Sequence, residues 1–541
     1  MLALAYLLPG HYLPWTAFQS QWLAAFALMP WALGLMQRAA SAPRLPLPAL
    51  AALAGALALA PALQWVLGLL PFASDALLAA LYLLALALTI VAGAAPLPDQ
   101  RAQFLRWLLG ALMVASAVSV ALALVQWLQL GSFVFIADLR PGGRPYANLA
   151  QPNHLATLLG LGVVGVLYLY QTAMLGGAAA SALLAWFGLG LVMTQSRTGW
   201  LSMALLALWC LTHGRRWAPR VRPAAVMVAA ALFAMAIVGW RPLNEWLLLS
   251  TAPLQERLTP GTRWLHWRAL WQAAWLEPWT GYGWQQVTVA QQRTALDFRP
   301  SGEMIQNSHN LLLDLLLWNG VALGALVALC LVVWFVRRVR GVRDVDDFVL
   351  VAAVGVIGVH ALLEYPLDYT YFLLPVGLLI GLLNGPTPLR LARGLFVTVL
   401  AALGVMLVWI GAEYLRVEQA NRDVRLMLAG FGRDKVPNVP PPDVRLLDGP
   451  REYHRFMLTP ARPGMSTAEI DWMRRVTQRN AYPPAMMRFA LAAGLNGHGE
   501  EAALTLQRLC HIHPPARCEE ARESWRAAQS KFAVLASIPA P

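Results

Sequence analysis

Five short polar segments in an otherwise apolar chain hold the residue types that do chemistry. The first is Arg144-Pro-Tyr-Ala-Asn148-Leu-Ala-Gln151-Pro-Asn153-His154, where a polar run meets an apolar one. Asn153 and His154 read there either as a helix cap and interfacial anchor or as contacts to a ligand. The second is Thr194-Gln-Ser196-Arg197-Thr-Gly199-Trp200, a tight turn between two apolar stretches. A guanidinium held in so short a turn suits an anionic phosphate, which it grips through two parallel hydrogen bonds. The plain alternative is an arginine snorkelling to a headgroup. The third holds Arg257, then Arg263-Trp-Leu-His-Trp-Arg268-Ala-Leu-Trp271, and closes on Glu277-Pro278-Trp-Thr-Gly281-Tyr-Gly283. Tryptophans 264, 267, 271 and 275 recur at three- and four-residue spacing, predicting an interfacial helix that brings Arg263, Arg268 or both near lipid phosphates. The fourth, Gln306-Asn-Ser-His309-Asn310, offers an imidazole, the side chain suited to proton transfer near neutral pH; its alternative role is that of a satisfied interfacial histidine. The fifth is His360-Ala-Leu-Leu-Glu364-Tyr365-Pro-Leu-Asp368. His360 and Glu364 are four apart on one helix face and can form a buried structural pair.

The elements that must position these residues are membrane spans. Of 541 residues, 58% are hydrophobic and only 13% charged, with a mean hydropathy of +0.53. These values place the chain among all-α polytopic membrane proteins rather than soluble domains. Apolar segments predict 12–13 transmembrane helices, near 2–9, 17–36, 47–70, 76–94, 105–128, 153–171, 177–194, 198–213, 223–240, 311–337, 347–364, 369–384 and 394–412. The first of these lacks a basic n-region and a cleavage site and reads as a retained span. With the amino terminus inside, the arginine clusters at 38/44, 101/106, 215/216/220/222, 337/338/340/343 and 390/393 share one side, the cytoplasm by the positive-inside rule. The loop at about 129–152, the long loop at about 241–308 and the tail from 413 to 541 are then periplasmic.

The transmembrane domain is thus expected over 1–412 and a helical domain over 413–541. Ser466 with Glu469 forms a capping box in that tail, and 482–509 reads as one hairpin of the tetratricopeptide type. Cys510 and Cys518 read as a disulfide, with a metal site using His511 and His513 as the rival. Asp344-Val-Asp346-Asp347 has the look of an acidic metal motif, but it opens a cytoplasmic helix and reads as a cap. The net charge of +13 sits in the topogenic clusters, with no basic stripe interleaved with aromatics, so nucleic acid is excluded as a partner.

Five motifs then stand in one order: Asn153-His154-Leu-Ala-Thr157, Ser196-Arg197, Arg263 ahead of Pro278 and Gly281-Tyr-Gly283, Ser308-His309-Asn310, and Glu364-Tyr365-Pro366. Together they resemble the superfamily of bacterial O-antigen ligases, O-antigen polymerases and protein O-oligosaccharyltransferases, over about residues 140–390. The Asn-His-Leu-Ala-Thr motif, the Glu-Tyr-Pro-Leu motif and the sizeable tail look most like the protein O-oligosaccharyltransferases, or pilin glycosylation ligases. That resemblance implies a GT-C-like glycosyltransferase in the bacterial inner membrane with its active site facing the periplasm. It implies transfer of a preassembled glycan from undecaprenyl pyrophosphate to a hydroxyl of a periplasmic or pilin-like protein. Arg197 and Arg263 would hold the pyrophosphate and His309 would take the acceptor's proton. Arg268 and Arg257 are further phosphate ligands, and Asn153, His154, Glu364 and Tyr365 would bind or position substrate. No cofactor and no metal are expected, because two arginines can supply the positive field.

The nearest rival is ligation of O-antigen to lipid A core, followed by O-antigen polymerisation. A transporter would scatter polar residues at mid-bilayer in repeated broken helices. A non-catalytic scaffold would leave the ordered Arg and His cluster unexplained.

Overall fold

The computed structural model describes the chain apart from residues 11, 39–42, 97, 132, 141, 250–262, 385–386 and 429–439. Helices dominate its described elements. The first half holds α1 (Leu2–Ala5), α2 (Phe18–Arg38), β1 (Arg44–Pro46), α3 (Ala49–Leu57), α4 (Ala60–Val66), α5 (Ala73–Ala94) and α6 (Pro98–Trp127). There follow α7 (Pro152–Gln171), α8 (Gly177–Thr194), α9 (Arg197–Trp217), α10 (Pro223–Trp246), α11 (Arg263–Leu276) and α12 (Val287–Thr294). Then come α13 (Leu311–Arg340), α14 (Val345–Ala361), α15 (Thr370–Leu383), β2 (Arg390–Ala392) and α16 (Arg393–Leu428). The chain closes on α17 (Asp448–Leu458), α18 (Thr467–Arg479), α19 (Pro483–Leu495), α20 (Gly499–Ile512) and α21 (Pro515–Lys531).

Each span expected from hydropathy holds a helix, although α1 is a single turn and α16 runs on well past residue 412. Among the described residues, 8 helical stretches are long and apolar enough to cross a membrane. They are α3 with α4, α5, α6, α7, α8, α10, α13 and α16, while α15 is apolar but shorter. The chain is an all-α polytopic membrane protein. The acidic run at 344–347 is a helix start: the Asp344 side chain accepts from the Asp347 amide at 2.7 Å. Asp347 in turn pairs with Arg343 at 2.9 Å, so the run is neutralised locally.

The chain divides into two compact units. The first comprises Met1–Ala56, Tyr82–Thr259 and Leu331–Trp409. Its centre is α7, which packs on α6, α8, α9 and α14. Within its most apolar window α7 is 78% buried, against 6% for α10, which makes α10 a peripheral helix. Close approach at α7 depends on small residues: a Cβ on Gly162 would stand 2.6 Å from Ser116 Oγ, and one on Gly165 2.6 Å from Met113. Ser116 Oγ crosses the same interface to the Leu158 carbonyl at 2.9 Å. β1 pairs antiparallel with β2, Leu45 opposite Leu391.

The second unit comprises Leu57–Leu81, Pro260–Cys330 and Ile410–Pro541. Phe456, Met473, Val476, Phe489, Leu506 and Trp525 form its core. The 263–308 segment packs on the carboxy-terminal helices: Gln292 Nε2 donates to the Gln478 carbonyl at 2.9 Å, and the Ser301 amide to the His511 carbonyl at 2.8 Å. The capping box of Ser466 and Glu469 opens α18, and α19 with α20 makes the helical hairpin. Buried Glu413 accepts from the amides of Arg445, Leu446 and Leu447 at 2.8–3.0 Å, which satisfies a carboxylate that burial would otherwise penalise. Cys510 and Cys518 are joined in a disulfide between α20 and α21.

Within this unit α13 is broken at Gly320, whose φ of 78° no helix permits. The turn at 278–282 fills the break: the Tyr282 amide donates to the Leu317 carbonyl and the Val321 amide to the Pro278 carbonyl, both at 2.7 Å. Gln64 Nε2 takes the Trp318 carbonyl at 2.7 Å while Gln64 Oε1 accepts the Trp284 amide at 2.9 Å. A helix break at membrane depth requires such partners for every freed backbone group.

Candidate functional site

In the first unit the polar residues form a chain of hydrogen bonds that ends at Ser196, the cap that precedes Arg197. Glu364, 3% exposed, accepts from Asn153 Nδ2 at 2.9 Å. Asn153 Oδ1 accepts from Ser196 Oγ at 2.7 Å. Ser196 is the N-cap of α9, its Oγ accepting from the Gly199 amide at 3.0 Å. Arg197 is the first residue of that helix and is exposed. The turn before it is tight because Gln195 takes a left-handed conformation, φ 50°, as the C-cap of α8. Gly199 is required by proximity: a Cβ there would stand 2.7 Å from that of Ala156.

Around this chain lie other buried groups. His154 is fully buried, with Nδ1 2.9 Å from Tyr371 Oη and Nε2 3.2 Å from Gln151 Nε2. His360 Nδ1 lies 2.7 Å from Thr157 Oγ1. The side chains read as an i, i+4 pair therefore turn to α7, Glu364 to Asn153 and His360 to Thr157. Tyr365 stacks on Tyr369, whose ring in turn stands edge-on to His154 at 4.3 Å. Upstream, Gln126 and Asn148 staple the 129–152 loop. Gln126 Nε2 reaches the carbonyls of Ala137 and Ala147 at 2.8 and 2.7 Å, and Asn148 Nδ2 reaches those of Leu7 and Phe135 at 2.7 and 2.8 Å.

In the second unit α11 carries its aromatic stripe outward: Trp264, Trp271 and Trp275 are each more than half exposed. The opposite face, His266, Leu270, Ala273 and Ala274, is buried. Trp267 sits at the margin, and its Nε1 donates to the Ser308 carbonyl at 2.8 Å. Arg263 opens the helix half-buried and Arg268 is exposed; Arg257 lies outside the described residues.

His309 takes a left-handed backbone conformation, φ 59°, that few non-glycine residues adopt. Its neighbours hold it there. The Ser308 amide donates to buried Asp314 at 2.9 Å, and Ser308 Oγ donates to the Asn310 carbonyl at 2.9 Å. Asn310 Oδ1 accepts from the amides of Leu312 and Leu313 at 3.0 and 3.2 Å, capping α13. Such strain persists only where surroundings over-determine it.

Three residues of this frame escaped the sequence reading: Trp267 as a hydrogen-bond donor, Asp314 and His266. Asp314 was detectable as a lone carboxylate in the first turn of an apolar span, and His266 as the polar residue on the face opposite the tryptophans. Burial holds the His266 imidazole below the ordinary histidine range; Glu303 opposes that shift and His309 reinforces it. Chemically, the two units offer an exposed guanidinium pinned at a helix start and a partly exposed imidazole pinned in a strained turn.

Comparison with known proteins finds matches across the segments that hold these residues. Residues 145–170 match the family described as protein glycosylation ligase, residues 180–328 the O-antigen ligase family, and residues 348–529 the carboxy-terminal family of virulence-factor membrane-bound polymerases. The general O-oligosaccharyltransferase of Acinetobacter baylyi is 30% identical over 535 residues, covering 95% of this chain and 91% of its own. The ComP-specific O-oligosaccharyltransferase of the same organism is 32% identical over 276 residues, half of each chain. A likeness that runs nearly end to end makes the conclusion plain: the chain belongs to the O-oligosaccharyltransferases of the O-antigen ligase superfamily, and it is a glycosyltransferase.

Proposed function

We propose that this glycosyltransferase moves a preassembled glycan en bloc from undecaprenyl pyrophosphate to Ser or Thr hydroxyls of a periplasmic, pilin-like protein, at the outer face of the inner membrane. The acceptor oxygen attacks the anomeric carbon and gives its proton to His309. The bond from that carbon to the pyrophosphate oxygen breaks, and the leaving pyrophosphate keeps the electron pair. Arg197 and Arg263 bind the pyrophosphate and balance the charge it gains, with Arg268 and Arg257 as further ligands. Attack opposite to departure inverts the anomeric configuration. Tyr365 orients substrate, whereas Asn153 and Glu364 act through Ser196 on Arg197.

The observation that carries this reading is the frame around His309: a partly exposed imidazole on a strained backbone, clamped on both sides by Ser308 and Asn310. A general base must be held within reach of the proton it takes. The arginines supply the charge that undecaprenyl pyrophosphate calls for, and apolar spans suit its lipid chain.

The test uses purified protein, an undecaprenyl-pyrophosphate-linked oligosaccharide and a pilin-like acceptor. Wild type is expected to glycosylate the protein, and His309→Ala to lose roughly 10²- to 10⁴-fold in rate while folding normally. Arg197→Ala is expected to fail with it. Transfer to lipid A core in place of protein would leave the chemistry standing and replace the acceptor. Wild-type rates from His309→Ala would end its assignment as base.

A further inference from the structure

A cavity of about 580 Å³ opens within the first unit among α7, α8, α9 and α10. Its volume falls in the range of ligand pockets, about 300–1,000 Å³. Small residues create it: Gly188 on α8, Ala204 and Ala207 on α9, and Ala225 and Ala229 on α10 leave room that larger side chains would close. α10 packs on α8 and α9, meets α6 only near its carboxy-terminal end where Trp127 donates to Asn244 at 2.7 Å, and is otherwise largely exposed among the described residues, so the space opens along a peripheral helix. In a bilayer such a space must be filled by something apolar.

One end of the cavity is cationic. Arg220 and Arg222, in the short connection between α9 and α10, both line it. That connection is well held. The Ala218 amide donates to the Gly214 carbonyl at 2.7 Å, the Val221 amide to Ala218 at 2.9 Å, and the Arg220 amide to Gln171 Oε1 at 3.0 Å. The Arg220 guanidinium lies 5.0 Å from the centre of the Tyr170 ring, a cation–π contact that restrains it without neutralising it. Among the described residues no ion pair engages either arginine.

We infer that this groove is a binding site for an anionic glycerophospholipid, its acyl chain between α8 and α10 and its phosphate on Arg220 and Arg222. Lipid tails are as apolar as the groove, so burying a chain there discriminates little between lipids. The headgroup sets which lipid stays, and two uncompensated arginines at the apolar boundary select negative charge. The site is independent of the glycan-transfer residues, and neither arginine belongs to them.

The full chain, purified and stripped of lipid, is titrated with phosphatidylglycerol or phosphatidylcholine and followed by native mass spectrometry. One phosphatidylglycerol is expected to be retained with roughly tenfold or greater preference. Arg220→Gln with Arg222→Gln is expected to abolish the preference, and the double lysine variant to keep it. Ala229→Trp, which fills the groove, is expected to weaken retention of both lipids. Glycan transfer and thermal melting report that the variants are folded. Equal retention of the two lipids by wild type, or an unchanged preference in the glutamine variant, would overturn the site. So would displacement of phosphatidylglycerol by an equal concentration of undecaprenyl phosphate, which would assign the groove to a polyprenyl chain.

Discussion

Ser196 Oγ donates a 2.7 Å hydrogen bond to Asn153 Oδ1, tying the first turn of α7 to the cap of α9. Because Asn153 also donates to Glu364, three segments more than forty residues apart converge on one amide. A side-chain amide offers a carboxylate a donor and a hydroxyl an acceptor at once. What it fixes is the start of the helix whose first residue is Arg197.

Asn153→Ala removes both bonds and leaves a buried carboxylate and hydroxyl short of partners, a cost of about 1–3 kcal/mol. Lower thermal stability and slower transfer are expected. The discriminating measurement is a double-mutant cycle: if Asn153 acts through Arg197, Asn153→Ala adds little to the rate loss of Arg197→Ala. Additive losses would show that Asn153 acts by another route.

Trp267→Phe keeps the ring and deletes one donor to the Ser308 carbonyl, worth about 1 kcal/mol. Because that carbonyl precedes His309, kcat is expected to fall up to roughly tenfold with the donor KM little changed. A rise in KM at constant kcat would mean that Trp267 contacts substrate instead.

Gly320→Ala forces a Cβ to within 2.6 Å of the Trp279 backbone at a φ of 78°. Left-handed backbone and clash together are expected to destabilise by about 2 kcal/mol or more, read as a lower melting temperature. An unchanged melting temperature would show that the break in α13 can relax.

Acid is expected to weaken the second unit through His266 and His513. Burial holds both below the ordinary histidine pKa; for His513 the Ala481 carbonyl opposes the shift and Arg517 adds to it. An unfolded histidine gains its proton near pH 6.5, before the folded one does. Their contribution is therefore complete above about pH 6.5 and is lost as pH falls below it, by at most about 1.4 kcal/mol per pH unit for each group. The melting temperature should fall from pH 7 to pH 5, and His266→Gln with His513→Gln should flatten that slope. An equal slope in the double variant would remove the histidines from the account.

Hydropathy alone located the 8 helical stretches that, among the described residues, are long and apolar enough to cross a membrane, because membrane helices satisfy their own backbone and need only length and apolar character. Local chemistry was equally legible: the Ser466–Glu469 box, the Asp344 cap and the Cys510–Cys518 pairing depend on residues at most eight apart. Arg197 and His309 stood out as costly residue types beside apolar runs, a property of composition. What holds them did not stand out. That Glu364 turns to Asn153, that Trp267 leaves its stripe for Ser308, and that Gln64 serves the break at Gly320 are long-range choices. So is the packing of the 263–308 segment against the carboxy-terminal helices, which sequence order separates by more than a hundred residues. Periodicity says which face of a helix is apolar, but a buried amide or carboxylate takes whichever partner the fold brings within about 3 Å. Only the tertiary structure decides that partner.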